Sequence, residues 1–184
     1  MKTVAGYDPR GVANRLLELA TDDRIPVTNL ALQKLLYFAH GHFLTTKRRP
    51  LVSGYFEAWQ YGPVHPLVYR AFSSAGAHAI TDRARSIDLI TGQQRIVPST
   101  DSPEVVTQLK WVVLSYARLT PGRLVEISHA SKAPWAFIKQ KGEKGIALGF
   151  RIPDDVILER FKFHKVFVDE TPRYGEPVED TPLA

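Results

Sequence analysis

Six histidines and no cysteine limit the chemistry that this 184-residue chain can perform. The lack of cysteine excludes a thiolate nucleophile, disulfide bonds and cysteine-ligated metal sites. His40 and His42 lie two residues apart in a predicted helix, about 200° around its axis, so they do not chelate one metal as an i, i+4 pair does. Ser128 and His129 are neighbours, but a catalytic serine needs a base from across the fold and an orienting acid.

The chain also lacks the local motifs of common nucleotide, metal and hydrolase sites. It contains no G-x-x-x-x-G-K-[ST] or G-x-G-x-x-G phosphate loop, no H-E-x-x-H helix and no G-x-S-x-G nucleophile elbow. We therefore predict a protein that is not an enzyme, carries no metal or other cofactor and acts by binding a partner. His65 and His129 are expected to hydrogen-bond nearby turn or helix carbonyl groups.

The most distinctive stretch of the sequence is residues 59–69, Trp-Gln-Tyr-Gly-Pro-Val-His-Pro-Leu-Val-Tyr, here named the aromatic segment. One interpretation is a rigid packed turn whose prolines fix the backbone. The other is a contact surface, because tryptophan and tyrosine often anchor protein interfaces. Alternation along an extended strand places Phe56 and Ala58 on one side and Tyr55, Glu57, Trp59 and Tyr61 on the other. Trp59 and Tyr61 are predicted to face away from the core. The candidate partner-binding residues are Trp59, Tyr61, Pro63, His65 and Tyr69.

Hydrophobic periodicity predicts a mainly α fold, a compact single-domain bundle of about seven helices with a short extended segment or small hairpin. Helix starts are indicated by capping residues followed by proline at 8–9 and 120–121. A further helix begins either with Asp101 as the cap and Glu104 at the third helical position, or with Ser102 followed by proline. A helix predicted from about residue 28 to 45 is apolar on several sides, with Gln33, Lys34 and His40 as polar exceptions.

Residues 51–61 should be extended, and Gly62-Pro63 should form a turn. Residues 77–100 are predicted first as a variable surface excursion, in which 86–90 and 95–97 form a small hairpin as the alternative. A helix from about residue 103 should reach about residue 119, residues 139–149 should form a loop, and residues 163–168 are expected to add an extended stretch.

Charge and hydropathy restrict the partners and the location. The chain has 24 basic and 19 acidic residues, a net charge of +5 spread over its length. The one basic cluster, Lys47-Arg48-Arg49, is predicted to close a helix, so nucleic-acid binding is expected to be weak or absent. We expect a cytoplasmic protein with no membrane partner, because the chain shows neither a signal pattern nor an apolar run of about 20 residues.

Two blocks of the sequence resemble the Panacea antitoxin domain family, to which SocA-type antitoxins belong. The first is Leu30-x-Leu32-Gln33-Lys34-Leu35-Leu36-Tyr37-Phe38-Ala39, and the second runs through residues 56–69. Weaker similarities occur at 124–129, 133–135 and 152–161. Residues 1–170 are therefore predicted to form the Panacea-like domain. Residues 171–184, with three prolines and three acids, are predicted to be a flexible acidic tail.

The resemblance implies a bacterial or phage-encoded antitoxin that binds and neutralises a separately encoded protein toxin. In one branch of the family the antitoxin also acts as an adaptor that delivers its toxin to the ClpXP protease, and the resemblance extends that possibility to this chain. The alternative drawn from charge is a basic helical nucleic-acid-binding module or autorepressor. The family's helical fold agrees with the fold predicted from periodicity.

Overall fold

Seven α-helices and five short strands lie within the residues that the computed structural model describes, which are 6–143, 150–164 and 175–183. The helices are Pro9–Asp22 (α1), Asn29–Lys47 (α2), Pro66–Ala71 (α3), Pro103–Tyr116 (α4), Pro121–Ser128 (α5), Pro134–Glu143 (α6) and Asp154–Arg160 (α7). The strands are Phe56–Trp59 (β1), Gly62–Val64 (β2), Arg85–Ile87 (β3), Gln94–Ile96 (β4) and Arg151–Ile152 (β5). The fold is mainly α, as predicted, with a few short antiparallel strands.

Helix α2 is the centre of the molecule. It contacts α1, α4, α5 and α7 on different sides and also packs on β2. Its apolar residues are spread around the axis, so a single buried stripe cannot hold them all and the helix becomes enclosed. The prediction that this helix is buried on several sides is confirmed, and even its polar residues Gln33, Lys34 and His40 are buried.

The predicted helix starts carry the expected caps. The Asp8 side chain accepts a hydrogen bond from the Arg10 N–H before α1, and Thr120 accepts one from the Arg123 N–H before α5. Each capping residue is followed by a proline at the first helical position. Proline has no backbone N–H, but an N–H at this position would have no acceptor within the helix, so no hydrogen bond is lost. Local sequence signals were therefore sufficient to place these two helix starts.

The strand β1 lies between β2 and β5 in a small antiparallel sheet. Residues 60–61 form the turn between β1 and β2, and Gly62 opposite Trp59 begins the returning strand. The prediction that Gly62-Pro63 forms the turn was therefore wrong. Proline is accepted in β2 because this strand lies at the edge of the sheet and needs no second hydrogen-bonded neighbour.

Other predicted boundaries shift by a few residues. The hairpin formed by β3 and β4 is present, whereas α4 ends at Tyr116 rather than near residue 119. Helix α6 continues to Glu143 through residues predicted to be a loop. Phe163, predicted to begin an extended stretch, belongs to a 3-10 turn, and residues 165–168 lie outside the described part of the chain.

The C-terminal segment, residues 175–183, lies against β1 and α2. Its Asp180 is buried, and Pro182 forms an antiparallel bridge with Trp59. A buried ion pair and a bridge to β1 therefore attach these nine residues to the fold, although their composition offers little hydrophobic burial. The flexibility predicted for residues 171–184 stays a prediction. Residues 171–174 and 184 lie outside the described ranges, and the domain limit at residue 170 stays a prediction.

None of the described helices combines the length and the apolar content that crossing a bilayer requires.

Candidate partner-binding site

The five candidate residues lie together, on the hairpin formed by β1 and β2 and on the start of α3. Tyr61 and Tyr69 are half-buried, whereas Trp59, Pro63 and His65 are buried. The expectation that Trp59 faces solvent was wrong: its exposed fraction is 9%. The reason is tertiary, because the C-terminal segment covers the side of the hairpin that the alternation pattern turned outward.

Two polar side chains of α2 fix the backbone of the aromatic segment. The Gln33 Oε1 atom accepts a hydrogen bond of 3.0 Å from the His65 N–H. The Asn29 Nδ2 atom donates one of 3.1 Å to the Tyr69 carbonyl, and Gln33 Nε2 donates to Asn29 Oδ1 at 3.0 Å. Because these residues are one helical turn apart, they hold the aromatic segment at two points. This arrangement supports the interpretation of a rigid packed turn.

Lys34, on the same helix, forms a fully buried ion pair. Its Nζ atom lies 2.8 Å from Asp180 Oδ2 and donates a second bond of 3.2 Å to the Pro63 carbonyl. Both charged side chains have an exposed fraction of 0%. Burial lowers the pKa of Lys34 from its ordinary value, and the Asp180 carboxylate opposes that change. Removing one partner of such a pair would leave the other charge uncompensated.

The backbone of the hairpin completes the binding of Asp180. Its Oδ1 atom accepts hydrogen bonds from the Tyr61 N–H at 2.8 Å and from the Thr181 N–H at 3.0 Å. The neighbouring Gln60 N–H donates to the Thr181 carbonyl at 2.7 Å. Lys34 Nζ and the N–H groups of Gln60 and Tyr61 therefore form one recognition site, here named the Lys34 cradle.

The C-terminal segment also covers aromatic rings. Pro182 pairs with Trp59, and the Trp59 ring lies against the Tyr69 ring with centroids 4.8 Å apart. The Tyr69 hydroxyl donates to the Asp180 carbonyl at 3.3 Å. The predicted aromatic contact surface exists, but a part of the chain's own C-terminal region lies on it.

Sequence analysis missed Asp180 as a site residue. The available signal was Lys34 itself, because a lysine within a helix buried on several sides needs a counter-charge. The sequence offered 19 acidic residues as partners, and the one that pairs lies 146 residues farther along the chain. No local pattern connects the two positions.

Comparison with known proteins identifies the family. The family described as Antitoxin SocA-like, Panacea domain, matches residues 32–136. A protein named Antitoxin SocA from Caulobacter vibrioides (strain NA1000 / CB15N) is 47% identical over 175 residues, which cover 95% of this chain and 93% of the relative. This chain belongs to the SocA-like Panacea family. No solved structure shows significant similarity to it.

The Panacea match covers α2 from Leu32 and the whole aromatic segment. Side chains of the first sequence block, on α2, form hydrogen bonds with the backbone of the second block, which contains the aromatic segment. These contacts explain why both blocks occur in one family pattern. The resemblance seen in the sequence is therefore confirmed. The C-terminal segment lies beyond the residues that the Panacea family matches.

The histidines of this Panacea chain have separate partners. His40 Nε2 lies 3.0 Å from Asp154 Oδ1, and His42 Nε2 lies 3.1 Å from the Tyr116 hydroxyl. His65 Nε2 lies 3.0 Å from a backbone carbonyl of the loop before β1, as predicted. Within the described ranges, no three histidine or carboxylate side chains are grouped to hold a metal ion.

The basic cluster at the end of α2 is largely paired. Lys47 is the last residue of the helix, and Arg48 closes it in a left-handed conformation with φ of 56°. Glu104 of α4 forms ion pairs with both Lys47 and Arg49. The prediction that this cluster closes a helix is confirmed, and the pairing reduces the charge available for phosphate groups.

An exposed apolar surface of the Panacea chain lies on the β3–β4 hairpin. Leu89 and Ile90 at its tip are 97% and 96% exposed, so they contribute almost nothing to the core. Ile87 and Ile96 on its strands are also exposed. Grouped exposed apolar side chains often mark interaction surfaces. This hairpin is therefore a competitor to the aromatic segment as a partner contact.

Proposed function

We propose that this chain is an antitoxin that neutralises a cognate protein toxin by binding it directly. The observation that carries the proposal is the 47% identity to Antitoxin SocA across 95% of this chain. The similarity extends over nearly the whole length, so the aligned region includes the core and the aromatic segment. Neutralisation by binding needs no catalytic group, and we propose that the chain is not an enzyme and acts in the cytoplasm.

Two surfaces are available for the toxin, and we favour the aromatic segment. Tyrosine and tryptophan supply large rigid contact areas at low entropic cost, which suits them to the centre of an interface. The β3–β4 hairpin supplies aliphatic groups instead. Nucleic-acid binding receives less support, because Glu104 pairs with two of the three residues in the basic cluster.

Cells that express the product of the adjacent gene should stop growing, and co-expression of this chain should restore growth. We expect the two purified proteins to form a stable complex, because direct binding is the proposed means of neutralisation. Growth curves and calorimetric titration measure the two effects. A toxic neighbour that this chain neither binds nor counteracts would refute the antitoxin proposal.

The same cells distinguish simple occlusion from the adaptor role that we also propose. Delivery to ClpXP predicts that the toxin's half-life shortens when this chain is present and lengthens again when the protease is removed. A half-life that is independent of ClpXP would leave neutralisation by occlusion and refute the adaptor role.

A Tyr61→Ala variant should bind the toxin about 1 to 3 kcal/mol more weakly, as expected for an aromatic anchor. Tyr61 suits this test better than Trp59, because its half-exposed side chain can be removed with less disturbance of the fold. Titration calorimetry at constant pH and salt gives the difference in binding free energy.

The matched control is Leu89→Ser on the β3–β4 hairpin, where a fully exposed side chain is replaced. Both variants should retain the unfolding temperature of the unmodified chain. If Leu89→Ser loses affinity and Tyr61→Ala does not, the toxin contacts the hairpin and not the aromatic segment.

A further inference from the structure

Asp180 is the one buried residue of the C-terminal segment within residues 175–183, and Val178, two residues before it, is 59% exposed. Less buried contacts add to the attachment: Glu176 Oε2 accepts a hydrogen bond of 2.8 Å from the Gly122 N–H, the Thr181 hydroxyl bonds Gln60 Oε1 at 2.8 Å, and Leu183 packs against the core. The segment forms no helix and pairs with β1 through the single bridge at Trp59. Ordering nine residues costs conformational entropy at each position, whereas little apolar surface is removed from water. Asp180 in the Lys34 cradle is therefore the buried and charged part of this attachment.

The chemistry of the Lys34 cradle defines what it can hold. Lys34 and the Tyr61 N–H present donors to the two oxygens of one carboxylate, and the Gln60 N–H presents a donor to the next backbone carbonyl. This is the donor pattern expected for an acidic residue in an extended peptide that pairs with the end of β1, beyond the two residues that β5 occupies. The adjacent Trp59 and Tyr69 rings provide contact area for the flanking residues.

Departure of the C-terminal segment has a defined consequence. It would uncover Trp59 and would remove the counter-charge of Lys34, which lies on the central helix α2 and cannot follow the segment into solvent. A desolvated cation without a partner is unfavourable. Any molecule that replaces the segment must therefore bring a carboxylate of its own to the Lys34 cradle.

We propose that the Lys34 cradle is the binding site for an extended acidic segment of the toxin, and that residues 175–183 occupy it as an internal competitor in the free protein. This inference rests on the proposed antitoxin function. It accounts for two observations together: the aromatic segment has the composition of a contact surface, and part of the same chain covers it.

An internal competitor lowers the apparent affinity for the external ligand, because only the open fraction of molecules can bind. The two ends of one ion pair should consequently have opposite effects. Asp180→Asn weakens the competitor and should tighten toxin binding by at least about tenfold. In the Asp180→Asn chain, where the competitor is already weakened, Lys34→Met removes the site's charge and should weaken toxin binding by at least about tenfold.

The first experiment uses a fluorescent, amidated peptide with the sequence of residues 175–183 and the full-length chain. A tethered segment has a high effective concentration, so the unmodified chain should bind the added peptide poorly. The Asp180→Asn chain should bind it at least about tenfold more tightly. A peptide with asparagine in place of Asp180 should lose this binding, which tests the carboxylate without altering the folded protein.

The second experiment measures binding of the adjacent gene product to the same full-length chains and its ability to displace the peptide. Glu179→Gln is the matched control, because it removes the same charge from an exposed neighbour of Asp180. We expect this control to bind the toxin like the unmodified chain, and we expect the toxin to displace the peptide from the Asp180→Asn chain.

Three results would overturn the inference. One is weaker or unchanged toxin binding by Asp180→Asn, which would make the ion pair a purely structural contact. Another is simultaneous binding of toxin and peptide, which would refute a shared site while leaving the antitoxin function intact. The third is displacement of the peptide by a single-stranded oligonucleotide but not by the toxin. A gene product that binds no variant would refute the antitoxin function itself, and the peptide titration would still show whether the cradle holds a carboxylate.

Discussion

Lowering the pH from 7 to 5 should remove about 4 kcal/mol from the free energy of unfolding, through two histidines. The His129 ring stacks on Trp135 with centroids 3.5 Å apart. Burial, with smaller contributions from the positive charges of Lys34 and Lys139, lowers the pKa of His129 from 6.5 to about 2. Burial likewise lowers the pKa of His164 to about 4, and the hydrogen bond from its Nδ1 atom to the Phe161 carbonyl opposes that change.

The sign follows from proton binding by the two states. At a pH between the pKa of the histidine in the folded protein and its ordinary pKa, the unfolded chain binds a proton at each histidine and the folded chain does not. This contribution to stability is therefore complete above about pH 6.5 and is lost as the pH falls. At pH 5 each histidine accounts for about 2 kcal/mol. Burial also lowers the pKa values of His42 and His65, so their contributions have the same sign.

Urea unfolding at pH 7, 6 and 5 measures the loss. A His129→Phe variant keeps a ring against Trp135 but does not titrate, so its stability should fall less steeply with acidification. His78→Gln is the control, because the exposed side chain of His78 gives up little hydration on folding. Equal slopes for His129→Phe and the unmodified chain would contradict the assignment.

Replacing Gly62 by alanine should destabilise the protein by about 2 to 5 kcal/mol. Two effects add at this position. The backbone φ of +113° is unfavourable for a residue with a Cβ atom, and the new methyl group would overlap the Ser128 hydroxyl and press on the Lys34 side chain. The Lys34 cradle should therefore be distorted together with the turn. Urea unfolding gives the loss of stability.

Gly92→Ala separates the two effects. Gly92 also has a positive φ, of +68°, but a methyl group there meets nothing within 4 Å. It should cost only the backbone strain of about 1 to 3 kcal/mol. In a Ser128→Ala background, where one overlap is removed, Gly62→Ala should cost less. Equal losses for Gly62→Ala and Gly92→Ala would show that space around Gly62 is not limiting.

Features that depend on neighbouring residues were predictable. The cap-and-proline pairs placed the starts of α1 and α5, because a cap is satisfied within three residues. The apolar residues spread around α2 indicated a central helix. The hairpin of β3 and β4 was also recognised as a possibility, since its turn residues lie between two short β-prone runs.

Predictions were wrong where one local sequence pattern is compatible with more than one structure. Gly62-Pro63 has the composition of a turn, but the positive φ of Gly62 serves equally well at the first residue of a returning edge strand. The alternation of residues 55–61 correctly placed Phe56 and Ala58 inside. It could not show that the opposite side, with Trp59, is also covered.

The sequence by itself determined a helical protein with a central helix that is apolar on several sides, and its motifs were sufficient to recognise the Panacea resemblance. Only the tertiary structure decided that Asp180 supplies a carboxylate to Lys34 and that residues 175–183 cover the aromatic segment. The physical reason is the distance along the sequence over which each interaction acts. Helix periodicity and helix caps depend on residues only a few positions apart. An ion pair across 146 positions depends on how the whole chain packs, and composition alone made its acidic end resemble a free tail.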